Sequence, residues 1–123
     1  MLKTISLVLF AVTIGGTGHI MLAKAMRPVG DLTEAPAGRV GGMVGRALAN
    51  PWLIAGVTLQ ALFFFMYLTL LSRADVSQIL PMTALDYIVV AMLAQVFLAE
   101  PVTGARWAGI ALIVIGVALV SRT

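Results

Sequence analysis

Four apolar runs, Ile5–Ala23, Trp52–Leu71, Val76–Leu98 and Trp107–Val120, occupy most of the 123-residue chain. A bilayer's hydrocarbon core is roughly 30 Å thick and takes about 20 helical residues to cross, with tolerance on either side. Lipid offers the backbone no hydrogen-bonding partner, so a spanning segment of this kind satisfies its own amides as a helix. The expectation is an all-α integral membrane four-helix bundle with short hairpin loops, forming one domain over residues 1–123.

Composition fits that frame. Hydrophobic residues make up 61% of the chain and charged residues 11%, against about 25% charged in soluble domains; mean hydropathy is +1.07. The net charge of +3 comes from basic residues near helix ends. Such an arrangement suits anionic headgroups, whereas nucleic acid calls for a clustered basic face. With no cysteine, disulfides, thiolate metal sites and cysteine nucleophiles are excluded. One histidine and neither H-E-x-x-H nor G-x-S-x-G leave no assembled nucleophile or metal centre. We therefore expect neither an enzyme nor a cofactor, and we look instead for what the membrane domain carries.

Lys3 ahead of an apolar run imitates a signal peptide. The run lacks a small-x-small cleavage site and, at about 19 residues, outlasts a typical signal core, so it reads as a retained helix. Lys24, Arg27 and Pro28 end it. In the polar segment that follows, Val40, Met43, Val44, Ala47 and Leu48 fall on one helical face beside Arg39 and Arg46. That spacing predicts a short amphipathic helix in the headgroup layer, although Gly41, Gly42 and Gly45 work against it. Asn50-Pro51 offers a cap and a first-turn proline for the second span, and Trp52 is an interfacial aromatic. Only Ser72–Asp75 separates the second and third spans, and Glu100–Gly104 the third and fourth. Lys24, Arg27, Arg39, Arg46 and Arg106 then share one membrane surface and Lys3, Arg73 and Arg122 the other. The excess weakly favours a cytoplasmic location for the first surface.

Asp86 is the sharpest chemical signal. A carboxylate within a spanning helix costs about 2.5–3.5 kcal/mol on insertion scales, so such groups face a bundle interior or a wet cavity. At helical spacing Thr83, Asp86 and Tyr87 align with Ala91, Ala94 and Gln95, a small and polar stripe fit to line a cavity. Asp86 is then either a substrate-binding group or a structural acceptor between helices. His19 offers proton exchange or an ion pair, with a neutral interhelical hydrogen bond as the plainer alternative; Gly15, Gly16 and Gly18 beside it permit close helix approach. Gln60 and Tyr67 share one face of the second span and can turn inward. Lys24, Arg27 and Arg46 are candidate phosphate ligands, or else basic side chains that snorkel to the surface. Gly109 and Gly116, seven residues apart, mark the last span as the candidate subunit contact, because four helices enclose too little volume for a pathway of their own. Phe63, Phe64 and Phe65 read as packing or lipid contacts.

From Asn50 to the C-terminus the chain resembles the drug/metabolite transporter superfamily. The resemblance rests on the run from Leu71 through Ser72-Arg73-Ala74-Asp75 to Pro81, on Phe97-Leu98-Ala99-Glu100-Pro101-Val102, and on Arg106-Trp107-Ala108-Gly109-Ile110. Gly18-His19 through Lys24 is similar to the ending of the superfamily's first helix. The small multidrug resistance branch relies on a membrane-embedded Glu in its first helix. The matching position here is Gly16 or a neighbour, and the first span holds no carboxylate. The chain is more similar to the EamA-like half-size proteins and to the subunits that flip undecaprenyl-phosphate-linked aminoarabinose. That resemblance implies an amphipathic or lipid-linked, polyprenyl-phosphate type of substrate, a homodimer or a heterodimer with a related subunit, and a bacterial-type cytoplasmic membrane. A proton-coupled exporter using Asp86 or His19, and a non-transporting accessory subunit, are the alternatives.

Overall fold

In the computed structural model, residues 2–34 and 36–123 are described, and the described residues form helices and no strand. Helix α1 covers Leu2–Met26, α2 Ala37–Ala49, α3 Pro51–Leu71, α4 Val76–Met82, α5 Asp86–Phe97 and α6 Gly104–Ser121. A 3₁₀ turn over Thr83–Leu85 joins α4 to α5, so that Val76–Phe97 runs on as one 22-residue apolar span. With α1, α3 and α6 this makes four helices long and apolar enough to cross a membrane.

Local chemistry sets the helix ends. The Asn50 side chain accepts the Trp52 amide at 2.9 Å, and its Nδ2 donates to the Ala25 carbonyl at 3.3 Å, fastening the start of α3 to the end of α1. Thr103 Oγ1 accepts the Arg106 amide at 3.2 Å. That cap starts α6 at Gly104, earlier than the apolar run alone suggests. Pro81 lies inside α4; with no N–H to give the carbonyl four residues back, it disturbs the α-helical ladder, and the chain tightens into the 3₁₀ turn directly after it. Thr83 Oγ1 returns a hydrogen bond to the Leu80 carbonyl at 2.6 Å.

Helix α1 is the centre of the molecule, packed along α3 and also against α5 and the 3₁₀ turn. Its glycines serve two neighbours. A Cβ on Gly18 would stand 3.3 Å from the Gly56 carbonyl oxygen, and one on Gly56 would stand 3.1 Å from the Gly18 carbonyl oxygen, so these two residues let the α1 and α3 backbones meet. Gly16 instead admits α5, since a Cβ there would come within 2.8 Å of Val89 Cγ1. The dry core, made by Val8, Ala11, Val12, Leu70, Ile79, Met82 and Val117, collects at the end of the bundle where α1 begins and α6 finishes.

The surface helix expected after the first span is α2. Met43 and Ala47 pack on Val29, Met26, Leu32 and Leu53, while Val44 and Leu48 of the expected apolar face remain exposed. The face is therefore shared between the protein and its surroundings. Helix α6 packs on α4 and the 3₁₀ turn, and its Leu112, Ile115 and Leu119 are outward-facing.

Candidate functional site

Gly16 lets α5 lie close beside α1, and the 3₁₀ turn makes Asp86 the first residue of α5. Together they bring a carboxylate to the only histidine of the chain: His19 Nε2 stands 3.5 Å from Asp86 Oδ2. At the outer limit of hydrogen-bond distance, the contact is a charged pair when the imidazole is protonated and a weak polar contact when it is not. The Asp86 side chain is 19% exposed and that of His19 52%, so the pair is reachable from outside the bundle. Tyr87 and Val90 complete an open pocket of about 270 Å³ around it. Two titratable groups and a phenol therefore share one concavity partway along two spanning helices, where polar groups mark pathways and binding sites.

The other expected residues lie elsewhere. Gln95 is exposed and outside this pocket. Gln60 donates from Nε2 to the Gly15 carbonyl at 2.9 Å, so its amide nitrogen serves the α1–α3 contact. Tyr67 stacks on Phe63 with ring centroids 6.3 Å apart. Lys24 Nζ lies 4.2 Å above the centre of the Trp52 ring. Arg27 pairs with Glu100 and donates from Nη1 to the Leu98 carbonyl at 3.3 Å, so a phosphate at Arg27 has to compete with a carboxylate already there. Arg46 lines a separate groove on α2 with Arg39, Asp31 and Glu34. The three basic candidates thus stand apart. Gly109 and Gly116 have no neighbouring atom within 4 Å of a built Cβ, which leaves their face of α6 open.

Glu100 enters the sequence pattern only as part of the turn between the third and fourth spans. The signal was present: a carboxylate in a turn on the same surface as Lys24 and Arg27. Its pairing with Arg27 joins loops 73 positions apart, which no local spacing reveals.

Comparison with known proteins agrees with the architecture. The chain is 33% identical over 76 residues to a protein of Pseudomonas savastanoi pv. phaseolicola, covering 62% of this chain and 67% of the relative. It is 37% identical over 76 residues to one of Pseudomonas aeruginosa, covering 62% and 66%, and 32% identical over 78 residues to one of Serratia proteamaculans, covering 63% and 68%. Each relative bears the name "Probable 4-amino-4-deoxy-L-arabinose-phosphoundecaprenol flippase subunit ArnE". The chain thus spans about two thirds of the length of the curated relatives it matches. No solved structure matches it. Residues 3–122 match the EamA-like transporter family, nearly the full chain, and the protein is a multi-pass membrane protein that belongs to that family.

Proposed function

We propose that this protein is a small membrane transporter of the flippase type, acting on an amphipathic or lipid-linked, polyprenyl-phosphate type of substrate. The carrying observation is the His19–Asp86 pair in an open pocket within the spanning helices. A lipid-linked head group has to cross the apolar layer while its tail stays in it, and a polar concavity open at the side of the bundle suits that path. His19, Asp86 and Tyr87 would hydrogen-bond the head. One of the basic residues Lys24, Arg27 or Arg46 would hold the phosphate at one membrane surface. The names of the relatives support this substrate class.

On this reading the role is non-enzymatic, the membrane is the bacterial inner membrane, and the four spans act as one domain. The working unit is a homodimer or a heterodimer with a related subunit, joined through the open Gly109–Gly116 face of α6. Reconstitution into vesicles with a fluorescent polyprenyl-phosphate-linked sugar, followed by reduction of the outer-leaflet label, measures head-group movement. Wild-type protein should accelerate it, and Asp86→Ala should abolish most of the gain. Unchanged rates in both Asp86→Ala and Arg27→Ala discard the assigned roles.

The same pair supports a second reading, a proton-coupled exporter of small cations or metabolites, because an imidazole beside a carboxylate can take up and release a proton. That reading requires transport to fall when the pH gradient is collapsed. An uncoupled flippase is indifferent to the gradient. An accessory subunit would tolerate apolar replacements at both His19 and Asp86.

A further inference from the structure

A second concavity lies between α1, α3 and α5, apart from the His19 pocket. Thr17, Ile20, Met21 and Lys24 form its α1 wall; their spacings of three, four and seven residues put them on one helical face. Trp52 of α3 and Leu93 and Phe97 of α5 close the other sides, enclosing about 130 Å³. Lys24, Trp52 and Phe97 all stand at helix ends on the same side of the bundle. Thr17 lies about 10 Å below Lys24 along α1, at 1.5 Å per residue. The cavity is therefore an upright slot with its mouth at the membrane surface. Its lining is apolar apart from the Lys24 ammonium and the Thr17 hydroxyl, and that hydroxyl is bound to the Thr13 carbonyl. Among the described residues Lys24 has no carboxylate within ion-pair distance; its ammonium rests on the face of Trp52.

We propose that this slot binds the phosphate end of a polyprenyl phosphate, with the phosphate on Lys24 and the first isoprene units between Trp52, Leu93 and Phe97. The inference rests on the lipid-linked reading above and names where that lipid is held. An unmatched cation at the mouth and apolar walls descending into the bilayer complement an anionic head on an apolar chain. A volume of about 130 Å³ suits the start of one chain better than a diacyl phospholipid, which brings two chains side by side. Val90, which lines the His19 pocket, and Leu93, which lines the slot, are one turn apart on α5. A lipid seated in the slot is thereby held next to the polar pocket.

Trp52 reports directly on occupancy once the other tryptophan is removed. The full-length Trp107→Phe protein in phosphatidylcholine nanodiscs is titrated with undecaprenyl phosphate, with undecaprenol and with phosphatidylglycerol. Saturable change in Trp52 emission is expected with undecaprenyl phosphate, at least tenfold tighter than with the other two. Lys24→Gln, a change at an exposed position, should erase the preference for phosphate over alcohol, and Lys24→Arg should keep it. Leu93→Phe, which narrows the slot, should weaken both polyprenyl ligands. An equal response to phosphatidylglycerol, or a preference that survives Lys24→Gln, overturns the assignment. The vesicle assay separates the two failures. Head-group movement without a Trp52 response sinks the slot and leaves the flippase. A Trp52 response without movement keeps the slot and sinks the flippase.

Discussion

Arg27 holds the Glu100 carboxylate and the Leu98 carbonyl at the same time, locking the end of α1 to the turn between α5 and α6. That turn contains Ala99 at φ 53°, a left-handed conformation costly for a residue with a Cβ, and the Glu100 amide caps it by donating to the Ala94 carbonyl at 3.1 Å. Both ends of the Arg27–Glu100 pair are partly exposed, at 50% and 36%, so its contribution to global stability is about 0.2–1 kcal/mol. The larger effect is local. Glu100→Gln should raise amide exchange across residues 98–103 several-fold while leaving the buried α1 amides unchanged. The exchanged pair R27E/E100R should recover only part of the protection, because a glutamate at position 27 cannot donate to the Leu98 carbonyl. Full recovery would assign the effect to charge alone.

The glycines divide into two groups with opposite predicted behaviour. At Gly56 a Cβ meets Leu22 at 2.9 Å and the Gly18 carbonyl at 3.1 Å, and the backbone oxygen cannot swing aside. Gly56→Ala should therefore cost about 1–3 kcal/mol through overpacking and lower the unfolding midpoint in detergent. At Gly109 the same atom enters open space, so Gly109→Ala should add up to about 1 kcal/mol of helix stability. If α6 is the subunit contact, Gly109→Ala and Gly116→Ala should also weaken association, read by native mass spectrometry. Stabilised protein with unchanged association would remove these glycines from the interface.

These glycines also show what the chain reveals before it is folded. The four spans were legible because bilayer thickness sets their length, and the caps at Asn50 and the proline at position 51 are local chemistry. Gly15, Gly16 and Gly18 announced close approach, but the division of labour between α3 and α5 depends on how the helices are arranged around α1. A stripe from Thr83 to Gln95 requires constant helical pitch, whereas a 3₁₀ turn occupies Thr83–Leu85, and exposed Gln95 falls outside the pocket that Asp86 and Tyr87 share. The meeting of His19 with Asp86 was not legible, since a separation of 67 positions carries no periodic signal. The surface helix α2 formed despite the four glycines Gly38, Gly41, Gly42 and Gly45 because Met43 and Ala47 find partners in Val29 and Leu53, an instance of packing outweighing propensity.

The loop before α2 carries a pH-dependent element. Asp31 Oδ1 accepts the Thr33 hydroxyl at 2.6 Å and the Thr33 amide at 2.8 Å. These bonds, the hydroxyl's first, hold the Asp31 carboxyl below its ordinary value of 3.8. The folded value lies below the unfolded one, so the stabilisation is complete above the unfolded pKa and is lost as pH falls through the folded pKa. Loop order should thus begin to fade only under about pH 4. Titration of the Asp31 carboxyl carbon by NMR should show the low value, and Thr33→Val should move it part of the way back, since the backbone amide still donates. An unchanged titration midpoint in Thr33→Val would contradict the hydroxyl's role.

His19 and Asp86 allow the structural and transport roles of the partly exposed acid to be separated. With 19% of its side chain exposed, Asp86 relies on His19 for part of its solvation, and removing one partner of such a pair costs more than removing both. His19→Leu should therefore destabilise the protein more than the double variant H19L/D86L. The coupling between the two positions should be about 0.6 kcal/mol and no more than about 1.7 kcal/mol, the span of interhelical polar contacts in membranes; a double-mutant cycle of unfolding in mixed micelles measures it. If Asp86 is only a structural acceptor, the double variant recovers stability and head-group movement together. If it binds the substrate, stability returns while movement in the vesicle assay stays at background. The latter is the expected outcome, because a dry, apolar pocket beside Tyr87 and Val90 can be folded and still have nothing with which to solvate a polar head.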